Sequence, residues 1–407
     1  MSAAHPAGAP DRRARLGLDL LNFFVANLQT AFGPFVSVYL TTQAWTQGQI
    51  GLALSIGTVA SMASQIPAGA LVDRLPGKRG AAAVAILGVI GGALLLAAWP
   101  ARLPVAAAEV LHGFASCVLG PAIAAISLAA AEAGGVAAGE RFGRNARWAS
   151  IGNGVAAGLM GACGFWISAR AVFVLAALLA VPGLLALRMI RPAAARFPGP
   201  ADAPGPAAPV APQLPVRALL TDRRLLAFSA CVALFGLSNG AMLPLAASQA
   251  TAEIGARAQL VIAACIVLPQ LLVALLSPAV GRIAERRGRR GLLLLGFAAL
   301  PVRGVLLSLQ LGPYPLVAIE ALDGIGAASL GVLLPLIAAD ITRGTGRFNL
   351  CMGFLGLWTA GAATLSTALG GLIADRASVG AAFLALAGAG AAGTLLVWAV
   401  MPETRRP

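Results

Sequence analysis

Long apolar runs, each about the length of a bilayer crossing, alternate along this chain with short stretches of arginine, glycine and proline. A hydrocarbon core of about 30 Å takes roughly 20 apolar residues as a helix. The pattern predicts twelve spans, near 16–40, 48–72, 80–99, 103–131, 145–168, 171–190, 224–250, 256–280, 291–311, 314–340, 349–374 and 378–401. Between spans six and seven, residues 192–216 are rich in proline and alanine, which reads as a flexible linker and not as a membrane helix. The expected fold class is all-α integral membrane. Its expected parts are a cytoplasmic N-terminal tail 1–15, a six-helix bundle 16–190, a cytoplasmic linker 191–216, a second six-helix bundle 217–401 and a cytoplasmic C-terminal tail 402–407.

The polar punctuation repeats. Gly69, Asp73, Arg74, Gly77, Lys78 and Arg79 return as Gly281, Glu285, Arg286, Gly288, Arg289 and Arg290, while Glu109, His112 and Gly113 return as Glu320, Asp323 and Gly324. The offset stays near 211 residues, so whole halves are duplicated. Glycine is dense in spans five (Gly152, Gly154, Gly158, Gly161, Gly164) and eleven (Gly353, Gly356, Gly361, Gly370, Gly371), which occupy equivalent places. Small residues let helix backbones approach closely. Static packing accounts for any single glycine; a sliding contact accounts for the paired placement.

Composition agrees with the spans: 59% of residues are hydrophobic and 11% charged, outside the range of a soluble domain. The net charge of +14 would suggest nucleic acid in a soluble protein, but the basic residues fall in every second loop and form no single patch. By the positive-inside rule both termini and the linker are cytoplasmic. No short apolar core with a small-residue cleavage site opens the chain, so the first span is expected to direct insertion. Cys117, Cys163, Cys231, Cys265 and Cys351 lie in apolar runs without paired spacing and read as small core residues. No metal, cofactor or nucleic-acid partner is expected.

Polar side chains inside the spans carry the candidate chemistry, because an ionisable group at mid-membrane costs about 2.5–3.5 kcal/mol. In span one, Asp19, Asn22, Asn27, Gln29 and Thr30 share one arc of the helix and must face water or protein. Spans four and ten each place two polar groups a turn apart, Glu109 with His112 and Glu320 with Asp323, followed in span four by Ser116. Arg303 lies ten residues before the outer turn near Pro313 and Asp323 ten after it, so the hairpin brings Arg303 level with Asp323 or Glu320 as an ion pair. The first half has glycine at Gly91 and Gly92 where the second has Arg303. A titratable His112 beside Glu109 would suit proton coupling, with Asp323 the third candidate; a neutral, hydrogen-bonded histidine is the alternative. Asn239, which precedes Pro244 as Gln29 precedes Pro34, and Gln270 beside Pro269 complete the expected cavity set. A proline within each cavity helix weakens its hydrogen-bond ladder and marks a place to bend.

The doubled loop resembles the hallmark of the major facilitator superfamily of transporters, a Gly-x-Leu-Ala-Asp-Arg-x-Gly-Arg-Lys motif between helices two and three that often recurs between helices eight and nine. Gly69, Asp73, Arg74, Gly77, Lys78 and Arg79 match with one extra residue, Pro76; the second copy keeps the length and has Glu285 for the aspartate. The resemblance implies twelve helices in two bundles, a midplane cavity lined by spans one, four, seven and ten, and a gating role for Asp73 and Glu285. The arginine that the family's proton-driven drug exporters carry in span four is replaced by Glu109, and their Gly-Pro signature in span five is absent.

No Walker loop or nucleophile elbow interrupts the spans, so the energy source is an ion or solute gradient. The expectation is a monomeric, non-enzymatic secondary transporter in the inner membrane. It would move a small organic solute by alternating access, with proton-coupled efflux first and proton-linked uptake as the alternative. A membrane sensor, an assembly factor and an intramembrane enzyme using Glu109 and His112 are the remaining rivals.

Overall fold

A computed structural model describes residues 12–32, 34–45, 47–75, 77–190, 217, 221–254 and 258–404; the linker 191–216 and the outermost tail residues lie outside that set. Backbone contacts divide the chain into two compact units: Met1–Gln213 together with Phe348–Leu350, and Leu214–Arg347 together with Cys351–Pro407.

The first unit is built from α1 (Arg12–Thr30), α2 (Pro34–Thr42), α3 (Gln47–Arg74), α4 (Lys78–Ala98), α5 (Arg102–Ala133), α6 (Ala138–Trp166) and α7 (Ala169–Met189). The second contains α8 (Arg223–Asn239), α9 (Met242–Ile254), α10 (Ala258–Arg287), α11 (Arg290–Ser308), α12 (Pro313–Thr342), α13 (Phe348–Arg376) and α14 (Val379–Val400), α13 contributing its first turn to the first unit. Taking α1 with α2 and α8 with α9 as single broken crossings gives the twelve spans. Eleven are long and apolar enough by composition. The twelfth is α6, where asparagines and glycines dilute the apolar run.

Both breaks sit where the sequence places proline. Span one breaks after Thr30 and α2 restarts at Pro34; span seven breaks at Gly240 and Ala241, the latter three residues before Pro244. A proline offers no N–H to the preceding turn, so it is tolerated where a helix begins anew. At the second break the backbone N–H of Ala241 donates to Ser366 Oγ at 3.0 Å, which satisfies a group the helix has released.

Each unit uses the same packing plan. In the first, α5 packs on α3 and α4, α1 on α6 and α7, and α4 on α7; in the second, α12 packs on α10 and α11, α14 on α8 and α11. The equivalent of the α1–α6 contact is made where Gly236 of α8 and Gly240 just after it press on Thr359 and Ala363 of α13. Close approach of the central pair depends on one duplicated glycine. A Cβ on Gly113 would meet Gly57 O at 2.9 Å, and one on Gly324 would meet Leu272 Cβ at 2.7 Å, so α5 and α12 lie against α3 and α10 with no room for a side chain. The helix starts are duplicated too. Ser168 Oγ accepts from the Ala171 N–H at 3.1 Å, and Ser378 Oγ accepts from the Ala381 N–H at 3.0 Å.

The expected sliding stripe is only partly in contact within its unit. Gly152 meets Phe23 and Ala26, and Gly370 meets Ala241, whereas Gly154, Gly158, Gly161 and Gly371 have open space where a Cβ would stand. No disulfide joins the five cysteines, and Cys163 alone among them is not buried.

Candidate functional site

The most concentrated buried charge lies in the second unit. Arg303 of α11 donates from Nη2 to Glu320 Oε2 at 2.6 Å and from Nη1 to Asp323 Oδ1 at 2.8 Å, both carboxylates on α12, and Nη1 also donates to Asn239 Oδ1 at the end of α8. Both alternatives for the partner of Arg303 therefore occur together. Glu320 is fully buried, and Asp323 keeps 24% of its side chain exposed. One guanidinium is shared by two carboxyl groups, so with both ionised the cluster would carry a surplus negative charge, and Glu320 Oε1 has no hydrogen-bond partner. Gln270 of α10 has a buried, unpartnered Oε1. A cleft lined by Gln249, Glu253, Leu306, Gln310 and Ile319 holds none of the expected site residues.

The first unit does not repeat this cluster. Glu109 of α5 is 5% exposed, points its carboxylate at Gly57 of α3, and has an Oε1 without a hydrogen-bond partner. His112 turns elsewhere. Its ring stacks on Phe32 with centroids 3.6 Å apart and planes 4° from parallel, and Ser116 Oγ lies 3.4 Å from its Nδ1. The expected Glu109–His112 partnership is thus not formed. Spacing of three fixes a shared helix face, but Phe32, delivered by the break in span one, draws the imidazole away. Phe32 had no sequence signal beyond its place two residues before Pro34.

The polar arc of span one is largely absorbed by protein. Asp19 is 1% exposed and accepts from Arg141 Nη2 at 2.6 Å, from Arg144 Nε at 3.1 and 3.0 Å, and from Arg144 Nη2. Arg141 Nε donates to Asn145 Oδ1 at 2.8 Å, and Asn145 Nδ2 donates to Ser127 Oγ at 2.8 Å, so α1, α5 and α6 are tied by one network. An acid with all its acceptor positions taken by two guanidinium groups is a structural anchor and not a free cavity wall. Asn22, Asn27 and Thr30 donate to the carbonyls of Leu18, Phe23 and Ala26 in their own helix, and Asn27 is fully buried. Thr30 Oγ1 also donates to Asn153 Oδ1 at 3.2 Å; Gln29 is half-buried beside it.

The two motif copies serve different helix ends. In the first, Asp73 Oδ1 accepts from the N–H of Asn349 at 3.0 Å and from Asn349 Nδ2 at 2.8 Å, and Oδ2 accepts from the N–H of Leu350 at 2.8 Å. The aspartate thus caps the first turn of α13, whose own N-cap, Arg347, supplies no side-chain acceptor. Gly69 leaves room for the Asn349 backbone. Lys78 is buried and donates from Nζ to the carbonyls of Val72, Asp73 (3.0 Å) and Leu75 (2.9 Å), closing the end of α3. Arg74 and Gly77 are exposed, and Arg79 has a buried Nε without a partner.

In the second copy the capping acid is Glu403, from the segment after α14. It accepts from the N–H of Arg289 at 2.9 and 3.0 Å and from that of Arg290 at 3.2 Å. Gly288, at φ +94°, stands where the carboxylate would overlap a Cβ. Arg289 Nε lies 2.7 Å from Asp340 Oδ2 as an ion pair without hydrogen-bond alignment, and its Nη2 lies 3.9 Å from Glu285. Arg290 donates to the Trp398 carbonyl; Arg286 is exposed and Gly281 buried. Glu403 carried no periodic or duplicated signal that would have marked it.

Two units on one packing plan, with charge buried in their helices, define a duplicated twelve-helix membrane protein. The chain belongs to the Major Facilitator Superfamily, whose family model matches residues 18–308. It is 36% identical over 404 residues to two relatives from Mycobacterium tuberculosis, covering 97% of this chain and 94% of each. They are the uncharacterized MFS-type transporters Rv2456c (strain ATCC 25618 / H37Rv) and MT2531 (strain CDC 1551 / Oshkosh). Solved structures share the fold. The human organic anion transporter MFSD10 (TETRAN) superposes with a TM-score of 0.72 at 17% identity, over 96% of this chain and all of that one. The nucleoside transporter NupG (D323A mutant) gives 0.65 at 16% identity, again over 96% of this chain and 100% of that one. The protein is a multi-pass membrane transporter of this superfamily.

Proposed function

We propose that the chain is a proton-coupled secondary transporter that exports a small organic solute across the inner membrane by alternating access, as a monomer with both termini in the cytoplasm. The observation that carries this reading is the cluster in which Arg303 answers both Glu320 and Asp323. Surplus negative charge in a membrane interior is stable only with a proton or another cation beside it. A proton on the quarter-exposed Asp323 and a cationic solute beside it would neutralise the same charge, so each displaces the other. An exchanger of that kind runs outward against an inward proton gradient. Arg303, which already serves three acceptors, is poorly placed to recruit an anion, and this weighs against uptake of a carboxylate or phosphate.

The test is a solute-dependent proton flux in lipid vesicles containing the purified full chain, screened with a panel of organic cations and anions. Flux is expected with a cation, opposite in direction to the solute, and lost in Asp323→Asn. Flux in the same direction as the solute would replace export with proton-linked uptake.

A further inference from the structure

The first unit contains the same acid as the second without its arginine. Glu109 repeats as Glu320, and the position that repeats as Arg303 is Gly92. A Cβ on Gly92 would lie 3.2 Å from the Ala108 carbonyl oxygen and 3.6 Å from the Phe32 ring, so an aromatic ring borders the place from which a guanidinium would approach.

Among the described residues of the first unit, nothing charged faces Glu109 from the elements packed on α5. At its level α3 presents Gly57 and Ser61, and α4 presents Gly88, Gly91 and Gly92. The charges of α3, Asp73 and Arg74, begin sixteen residues from Gly57, about 24 Å along the helix. Those of α4 are Lys78 and Arg79 at its start, and α6 meets α5 at Ser127, near its own Glu140, Arg141, Arg144 and Arg147. On α1, Asp19 is held by Arg141 and Arg144. On α5 itself the nearest titratable side chain among the described residues is His112, whose ring is stacked on Phe32; Arg102 lies seven residues before Glu109 and Cys117 eight after it. An ionised carboxylate with an empty acceptor position and no countercharge does not persist in such surroundings, whereas the neutral acid does.

We propose that Glu109 is a proton-carrying carboxyl separate from the Arg303 cluster, un-ionised while it rests against Gly57 and releasing its proton when the transport cycle opens it to water. This rests on the reading of a proton-coupled carrier and adds a second proton site, in the other unit. The lack of Cβ at Gly57 gives the carboxyl its room, so the site is built by both helices.

Dicyclohexylcarbodiimide tests it without any knowledge of the solute. The reagent partitions into bilayers and adds to un-ionised carboxyls. The acid's proton passes to a carbodiimide nitrogen, the carboxyl oxygen bonds to the central carbon, and acyl transfer to nitrogen leaves a stable N-acylurea with no group lost. Applied to the full chain in vesicles and read by peptide mass mapping, it is expected to mark Glu109. The yield should fall up to tenfold per pH unit on the alkaline side of the titration, with no mark on Glu320 beside Arg303. An unmarked Glu109 across the pH range, or equal marking of Glu320, overturns the proposal. Glu109→Gln gives a second readout: the infrared carbonyl band of an un-ionised carboxylic acid is expected to weaken in that variant, and an unchanged band also overturns it. A marked Glu109 in vesicles that show no solute-driven proton flux would keep this site and remove the coupling reading; flux with Glu109 unmarked would keep coupling and remove this site.

Discussion

Arg303 and Glu320 meet at 2.6 Å inside the second unit, with 2% and 0% of their side chains exposed. Breaking such a pair from one side leaves a charge that nothing else can solvate, at a cost of about 3–5 kcal/mol. Arg303→Met is therefore expected to lower the thermal unfolding midpoint of the detergent-purified protein sharply. Arg303→Met combined with Glu320→Gln should recover part of the loss, because the fully buried carboxylate is gone while Asp323, 24% exposed, still lacks its arginine. A double variant as unstable as the single one would show that the stranded Glu320 is not the source of the loss.

That pair was legible in the sequence because two facts converge on it: an arginine in an apolar run demands a partner, and counting back from the turn near Pro313 sets its depth. The duplicated loops and the breaks before Pro34 and Pro244 were legible for the same reason, since punctuation in an apolar chain is conspicuous. Glu109 and His112 were not. Helical spacing says which face a side chain shares, but what stands opposite is set by a distant segment, here Phe32. The arc through Asp19 was visible as an arc; its burial against Arg141 and Arg144 follows from how α1 packs on α6, which no local pattern encodes. Glu403 is a lone acid in a polar tail, and only Gly288 with its positive φ makes a place for it.

Asp73 takes the place of an N-cap for α13, and removing a cap costs about 0.5–2 kcal/mol. Asp73→Ala should therefore increase opening of that turn by roughly 2–30-fold. Cys351, a buried thiol outside any disulfide, reports on it: maleimide labelling of this cysteine, mapped by peptide mass, should speed up in the variant. Unchanged labelling would mean that α13 is held by other contacts.

Asp19 offers an internal comparison. Arg141 is buried in its contact with Asp19, while 48% of Arg144 is exposed to solvent that can replace it. Exposed pairs contribute about 0–1 kcal/mol, so Arg144→Ala should shift thermal unfolding little. Arg141→Ala also strands Asn145, whose amide is fixed through Ser127, and should cost several times more. Equal effects would remove the claim that Asp19 is anchored chiefly from the buried side.

Glu403 offers the cleanest separation of charge from shape. Its carboxylate receives the first two N–H groups of the α11 start, where negative charge is favoured by about 0.3–1 kcal/mol, and more when partly buried. Glu403→Gln keeps the acceptor oxygen and removes the charge, so it should lose only the electrostatic part. Glu403→Ala should lose both. Gly288→Ala attacks the same contact from the other side, placing a Cβ where the carboxylate lies and forcing a residue at φ +94° that alanine rarely adopts. If the contact holds the tail, Gly288→Ala combined with Glu403→Ala should destabilise by less than the sum of the two, because the second change has nothing left to break. Thermal unfolding of the four proteins gives this coupling directly, and strict additivity would separate the glycine's backbone role from the tail.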